Sequence, residues 1–155
     1  YFASAVGEVN VVEMMKKHNA VIGGEGNGGI IYPTLHYGRD ALVGIALFLT
    51  LLAKSKMTCS QLRSTYPNYE ISKNKMELTK DMDVDSILEQ MAEKYKDYEV
   101  STIDGVKINI EKEWVHLRKS NTEPIIRVYS ESKDLDSANK LAQKIINEIN
   151  EIINK

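Results

Sequence analysis

The sequence predicts a mixed α/β domain over residues 1–68 followed by an α+β domain over residues 69–155, the second ordered β-α-β-β-β-α with an antiparallel sheet covered by helices. Three observations carry that prediction. Five glycines fall within the seven residues from Gly23 to Gly29, between a short apolar run and an apolar helix. After residue 70, several short β-prone runs are separated by turn residues. The C-terminal stretch then repeats Leu, Ala and Ile at helical spacing.

Taken in order, residues 8–18 place Val9, Val11, Val12, Met14 and Met15 between Glu8 and Lys16–Lys17, a short helix whose end charges suit the macrodipole. A brief strand over residues 20–22 enters the glycine loop and another over residues 30–32 leaves it. Asp40 caps a helix over residues 41–54 that is apolar nearly all round and is therefore expected in the core, packed on several sides. Thr58 and Gln61 stand in capping-box register for a short helix that Tyr66–Pro67 stops, so the domain boundary falls in residues 66–74.

In the second half, a strand over residues 71–78 precedes a helix over residues 84–95 whose Val84, Ile87, Leu88, Met91, Ala92 and Tyr95 share one face. Strands over residues 98–103 and 106–110 flank Asp104–Gly105, which reads as a two-residue hairpin turn. Runs over residues 114–117 and 125–131 flank a polar loop that begins at Arg118, and Trp114 beside Val115 and Leu117 reads as a core residue. The last helix, over residues 135–153, carries one apolar face to lay on the sheet.

Composition narrows the partners. With 27% charged residues, a formal net charge of -2 and no basic run, nucleic acid and anionic membrane are poor partners. The apolar run over residues 41–53 is short for a membrane span. Cys59 is the single cysteine, which rules out an intramolecular disulfide and fits a reducing compartment, the cytoplasm. The chain opens on Tyr1 without a cap or polar tail and is expected to continue a longer polypeptide. His18, His36 and His116 lie in different predicted elements and are not spaced for a shared metal.

Two loops carry chemistry. From Arg118 the chain reads R-K-S-N-T-E-P-I-I-R, so two guanidiniums, Ser120, Asn121 and Thr122 can present a planar fork, hydroxyls and an amide to an anion. A polar hairpin loop whose Ser, Asn and Thr serve only the turn is the competing reading. In the glycine loop, Glu25 accepts from two hydroxyls at once and Asn27 both donates and accepts, a pair suited to a vicinal diol.

Arg118, Ser120, Asn121, Thr122 and Pro124 resemble the phosphate-binding loop of the last domain of the α-D-phosphohexomutases, the family of phosphoglucomutase, phosphomannomutase and phosphoglucosamine mutase. Gly24-Glu25-Gly26-Asn27-Gly28-Gly29 resembles the sugar-binding loop of the same enzymes, and Ala5-Val6-Gly7-Glu8 resembles the segment before it. The resemblance covers the later portion of the family's third domain and all of its fourth. It implies phosphate binding by Arg118, Ser120, Asn121, Thr122 and Arg127, with Arg127 alternatively paired to Glu123, and sugar binding by Glu25 and Asn27. At Glu8, where other members carry a basic residue or histidine, a helix-starting glutamate is the expected role.

The resemblance further implies an isomerase acting as an intramolecular phosphotransferase on hexose phosphates, with hexose 1,6-bisphosphate as intermediate. Its phosphoserine and its magnesium ion belong to the first and second domains, upstream of this sequence. Asp81-Met82-Asp83-Val84-Asp85 mimics the spacing of a metal loop but stands where acids would cap the helix that begins at Val84. No catalytic residue and no metal ligand is therefore assigned here. A free-standing phosphosugar-binding or regulatory module without catalysis is the alternative function, and an interaction domain a third, which would ask for a basic or aromatic sheet face.

Overall fold

The structure is a computed structural model that describes residues 1–79, 82–120 and 123–154. The chain divides into two compact units, Tyr1–Pro67 and Asn68–Lys155.

The first unit contains α1 (Glu8–His18), β1 (Gly23–Gly24), β2 (Ile30–Ile31), α2 (Ala41–Ser55) and α3 (Cys59–Ser64). Val11 and Met15 project from α1 onto Ile31, a small core closed by Val12 and Ala20. Asn19 ends α1 in the left-handed conformation, its N–H returned to the carbonyls of Lys16 and Met15. Asp40 caps α2 through an acceptance from Val43 N–H at 3.0 Å, and Thr58 with Gln61 closes the capping box of α3.

Two expectations for this unit are corrected. Residues 20–22 form no strand, and Val21 and Ile22 are exposed; the ladder lies instead on the glycines, Gly23 opposite Ile31 and Gly24 opposite Ile30. A Cβ on Gly24 would fall on the carbonyl oxygen of Gly29, so this close approach admits only glycine. The second correction concerns α2, which buries none of its residues: Leu42 is 78% exposed and Leu49 56%. An all-round apolar helix needs partners on several sides, and a ladder of two residues per strand offers one narrow edge.

The second unit contains β3 (Glu70–Glu77), α4 (Val84–Lys94), β4 (Glu99–Ser101), β5 (Val106–Ile110), β6 (Glu113–Lys119), β7 (Ile125–Ser132) and α5 (Leu135–Ile153). Its order is thus β-α-β-β-β-β-α: all five strand runs read from the sequence are present, and the formula β-α-β-β-β-α counts one too few of them. They form one antiparallel sheet in the order β3-β7-β6-β5-β4.

Strand alternation sorts the side chains into two faces. Val115, Leu117, Ile126 and Val128 are fully buried with Met91 of α4 and Ile145 and Ile149 of α5, each such side chain contributing about 1.5–3 kcal/mol. Ser130, on the same face, donates to the carbonyl of Ala138 at 2.7 Å, so its hydroxyl is buried without penalty.

The residues between them, Trp114, His116, Arg118, Arg127 and Tyr129, lie on the other face. Trp114 is therefore not a core residue. Val115 and Leu117 take the core side, and the indole donates from Nε1 to Glu131 at 2.8 Å while Lys107 Nζ stands 4.8 Å from its ring.

The β4–β5 connection also departs from expectation. It runs over residues 102–105, four residues and not two, and left-handed φ occurs at Gly105 but not at Asp104, whereas the two-residue turn favoured for Asp-Gly needs it at both. Asp104 is drawn instead into contacts with β6.

Candidate functional site

The glycine loop is a closed hairpin end. Glu25 N–H donates to Gly29 O at 3.2 Å and Gly28 N–H to Glu25 O at 3.1 Å, which turns both functional side chains out of one short loop. Glu25 Oε1 accepts from the backbone N–H of Gly7 at 3.1 Å and Oε2 from Asn27 Nδ2 at 3.4 Å; Asn27 Oδ1 in turn accepts from Gly29 N–H at 2.9 Å. The carboxylate and the amide are thus adjacent and held, with lone pairs and one amide hydrogen left for a guest. Both line an open hollow of about 1130 Å³ bounded by α1 and the N-terminal segment, somewhat larger than most small-molecule sites.

Glu8 does more than start its helix. Its Oε2 pairs with Arg39 Nε at 2.8 Å and its Oε1 accepts from Arg39 N–H at 3.2 Å. A Cβ on Gly29 would meet the Arg39 stem, so this arginine runs beside the loop. Arg39 escaped the sequence reading, which gives it no role.

The second loop is fixed at both ends. Ser120 N–H donates to Ile125 O at 3.1 Å, Ile125 N–H to Glu123 O at 2.8 Å, and Leu78 N–H to Pro124 O at 2.9 Å. Ser120 is nearly buried. Asn121 and Thr122, two of the expected phosphate ligands, lie outside the described residues. Lys119 is engaged with Asp85 at 2.7 Å, and Asp83 caps α4 by accepting from the N–H groups of Asp85 and Ser86, so these two acids serve the helix and its neighbour; Asp81 lies outside the described residues.

Arg118 and Arg127 are direct cross-strand partners, and Lys75 on β3 is the partner of Arg127 on its other side. Three cations thus form one row across β3, β7 and β6. Arg118 Nη1 has Asp104 Oδ2 at 3.5 Å and Lys75 has Glu77 at 3.3 Å. The Arg127 side chain has no hydrogen bond or ion pair among the described residues, and so no pairing with Glu123. With His116, Arg118 and Tyr129 it lines a hollow of about 180 Å³ beside the loop. Like charges directly opposed on a sheet repel, and an anion between them relieves that repulsion. His116 and Tyr129 carried no signal in the sequence beyond strand alternation.

Comparison with known proteins agrees with the fold. Residues 1–69 match the family model "Phosphoglucomutase/phosphomannomutase, alpha/beta/alpha domain III" and residues 74–148 the model "Phosphoglucomutase/phosphomannomutase, C-terminal domain". A phosphoglucosamine/phosphogalactosamine mutase of Sulfurisphaera tokodaii is 39% identical over 150 residues, which are 96% of this chain and 32% of that protein. A phosphoglucomutase/phosphomannomutase of Thermococcus kodakarensis is 38% identical over 134 residues, 86% of this chain and 29% of that protein. A crystal structure of a phosphoglucomutase/phosphomannomutase family protein from Burkholderia thailandensis shares the fold with a TM-score of 0.68 at 22% identity, over 93% of this chain and 31% of that one. The chain spans about a third of the length of the curated relatives it matches. Two consecutive domain models of one family thus account for nearly all of the sequence, and the chain belongs to the phosphoglucomutase/phosphomannomutase family, the α-D-phosphohexomutases, as the C-terminal part of such a protein.

Proposed function

We propose that this chain is the sugar- and phosphate-gripping part of a phosphohexomutase that interconverts hexose 1-phosphate and hexose 6-phosphate, on glucose, mannose or glucosamine, by way of a bisphosphorylated sugar. Arg118, Ser120, Asn121, Thr122 and Arg127 hold the phosphate, and Glu25 and Asn27 hold sugar hydroxyls. The observation that carries the reading is the opposed pair Arg118 and Arg127 beside the 120–125 loop, one of them without a counter-ion among the described residues. Two forks aimed at one small hollow suit a group with several anionic oxygens.

The remaining two thirds of the relatives' length corresponds to upstream domains of the same polypeptide. These supply the serine that carries the phosphoryl group and the magnesium site, and they cover the apolar surface of α2. Asp83 and Asp85 are engaged otherwise, and among the described residues no three His, Cys, Asp or Glu side chains gather as a metal site, so no step is assigned to a metal here. No helix among the described residues is long and apolar enough to cross a membrane, and the single exposed Cys59 suits the cytoplasm.

The test is a titration of the ¹⁵N-labelled chain with glucose 1,6-bisphosphate, followed at Ser120, Asn121 and Thr122 and at Glu25 and Asn27. Saturable shifts at the phosphate loop that vanish in Arg118→Ala are expected. A folded chain that shows none, alone and after the upstream polypeptide is restored, would refute the proposal.

A further inference from the structure

We infer that Asp104 is a positioning residue for the phosphate grip, the β4–β5 turn being built against Arg118 so as to fix the direction of its guanidinium. The inference rests on the phosphate-binding reading of Arg118. Three observations on β6 support it. Asp104 Oδ2 lies 3.5 Å from Arg118 Nη1, with the two side chains 30% and 34% exposed. The backbone carbonyl of Asp104 lies 2.5 Å from His116 Nε2, so an imidazole with its hydrogen on Nε2 donates to the turn from the same strand and face. Gly105 has φ +71°, and a Cβ there would fall on the carbonyl oxygen of Leu117, with Arg118 Cα and Cγ at 3.2 and 3.3 Å. The turn therefore touches the backbone and the stem of Arg118 as well as its head.

Electrostatics give this contact a task. Arg118 faces Arg127 across the ladder, and repulsion between two guanidiniums would swing the more exposed one out to solvent. Asp104 places a negative charge on the β5 side of Arg118 and keeps the fork beside Arg127. A fork already oriented loses less side-chain freedom when an anion arrives. The same carboxylate repels that anion, so the sign of the effect on affinity distinguishes positioning from charge competition.

The experiment compares the wild-type chain with Asp104→Asn and Asp104→Ala. Two quantities are read: the ¹H–¹⁵N heteronuclear NOE of Arg118 Nε–H, which reports how firmly the guanidinium is held, and the affinity for glucose 1,6-bisphosphate. Positioning predicts a lower NOE in both variants and affinity about 5-fold weaker in Asp104→Ala, with the backbone spectrum of β6 and β7 unchanged. Asp104→Asn keeps the turn's shape, so it decides the matter if the alanine variant does not fold. Equal or tighter binding by Asp104→Asn, or an Arg118 Nε–H held as firmly as in the wild type, overturns the inference while leaving the phosphate reading intact. A wild type that binds no bisphosphate, alone and with the upstream polypeptide restored, overturns both.

Discussion

Replacing Arg127 by Gln should stabilise the free chain and weaken its hold on phosphate, two effects of opposite sign from one substitution. Arg127 stands directly between Lys75 on β3 and Arg118 on β6. Each directly opposed like-charged pair costs roughly 0.2–1 kcal/mol. Glu77 and Asp104 offset the outer two cations, which puts the cost of each pair at the low end and the gain on removing Arg127 at about 0.5 kcal/mol in all. Gln keeps most of the apolar stem, so little packing is lost. With ligand the balance reverses, because a hydrogen bond to a charged group contributes about 1.5–3 kcal/mol, or roughly 10- to 150-fold in Kd.

Urea unfolding followed by the fluorescence of Trp114, the single tryptophan and a β6 residue, reads the stability of the second unit, and titration with glucose 1,6-bisphosphate reads the grip. The gain in stability should shrink in high salt, since the charges involved are partly exposed. A variant that loses stability yet binds the bisphosphate as tightly as the wild type would show that Arg127 is a structural residue, and the argument from opposed charges would fall.

The alkaline limb of stability should depend on Tyr95. Burial, then the Glu148 carboxylate that accepts from its hydroxyl, hold this phenol well above its ordinary pKa. A folded-state pKa raised above the unfolded one means stabilisation that is full below about pH 10 and is lost as pH rises further. The difference in urea midpoint between wild type and Tyr95→Phe should accordingly stay level at neutral pH and fall above that point, and a level difference throughout would contradict the assignment. Ile145→Ala, at a fully buried position of α5, should cost the second unit about 2–5 kcal/mol by the same Trp114 readout, whereas a loss under 1 kcal/mol would mean that α5 is loosely packed. Amide exchange in α2 should be faster than in α5 for this chain and should slow once the upstream polypeptide is restored; unchanged exchange would remove the case that upstream domains cover it.

What was legible in the sequence follows from the range of the forces involved. α1, α3, α4 and α5 announce themselves through local signals, the Thr58–Gln61 capping box, the acids ahead of Val84 and apolar spacing, and their bounds fall within a residue of the reading. α2 was recognised as a helix for the same reason and misplaced as core, because apolarity states what a helix requires and not whether this chain provides it. Residues 20–22 have strand composition but no strand partner among the described residues, while Gly23–Gly24, poor strand formers, gain one through close approach to Ile30–Ile31. Trp114 was misread for want of register: its neighbours Val115 and Leu117 claim the core, and alternation then leaves Trp114 outside. Glu25, Asn27, Arg118 and Ser120 stand out as candidates because polar chemistry crowded into a loop is visible locally. Arg39 and Asp104 act on residues 31 and 14 positions away, and nothing local marks such pairings.

The departures from ordinary folding rules lie where chemistry is proposed. On its helix-covered face the second unit is consistent throughout, with alternating apolar residues, satisfied serines and capped helices. Around Arg118, three cations stand in one cross-strand row, a glycine lies where any Cβ would strike the neighbouring strand, and a serine is nearly buried in a polar loop. Each of these lowers the stability of the free sheet or restricts its sequence, and none improves its packing. An anion bound beside Arg118 and Arg127 turns the first into a favourable interaction and gives the second a purpose, since the close turn keeps one fork in place. The same ligand accounts for both, which is why loss of binding in Arg118→Ala, gain of stability in Arg127→Gln and loosening of Arg118 in Asp104→Asn are expected together, and why any one of them failing alone would identify which link is wrong.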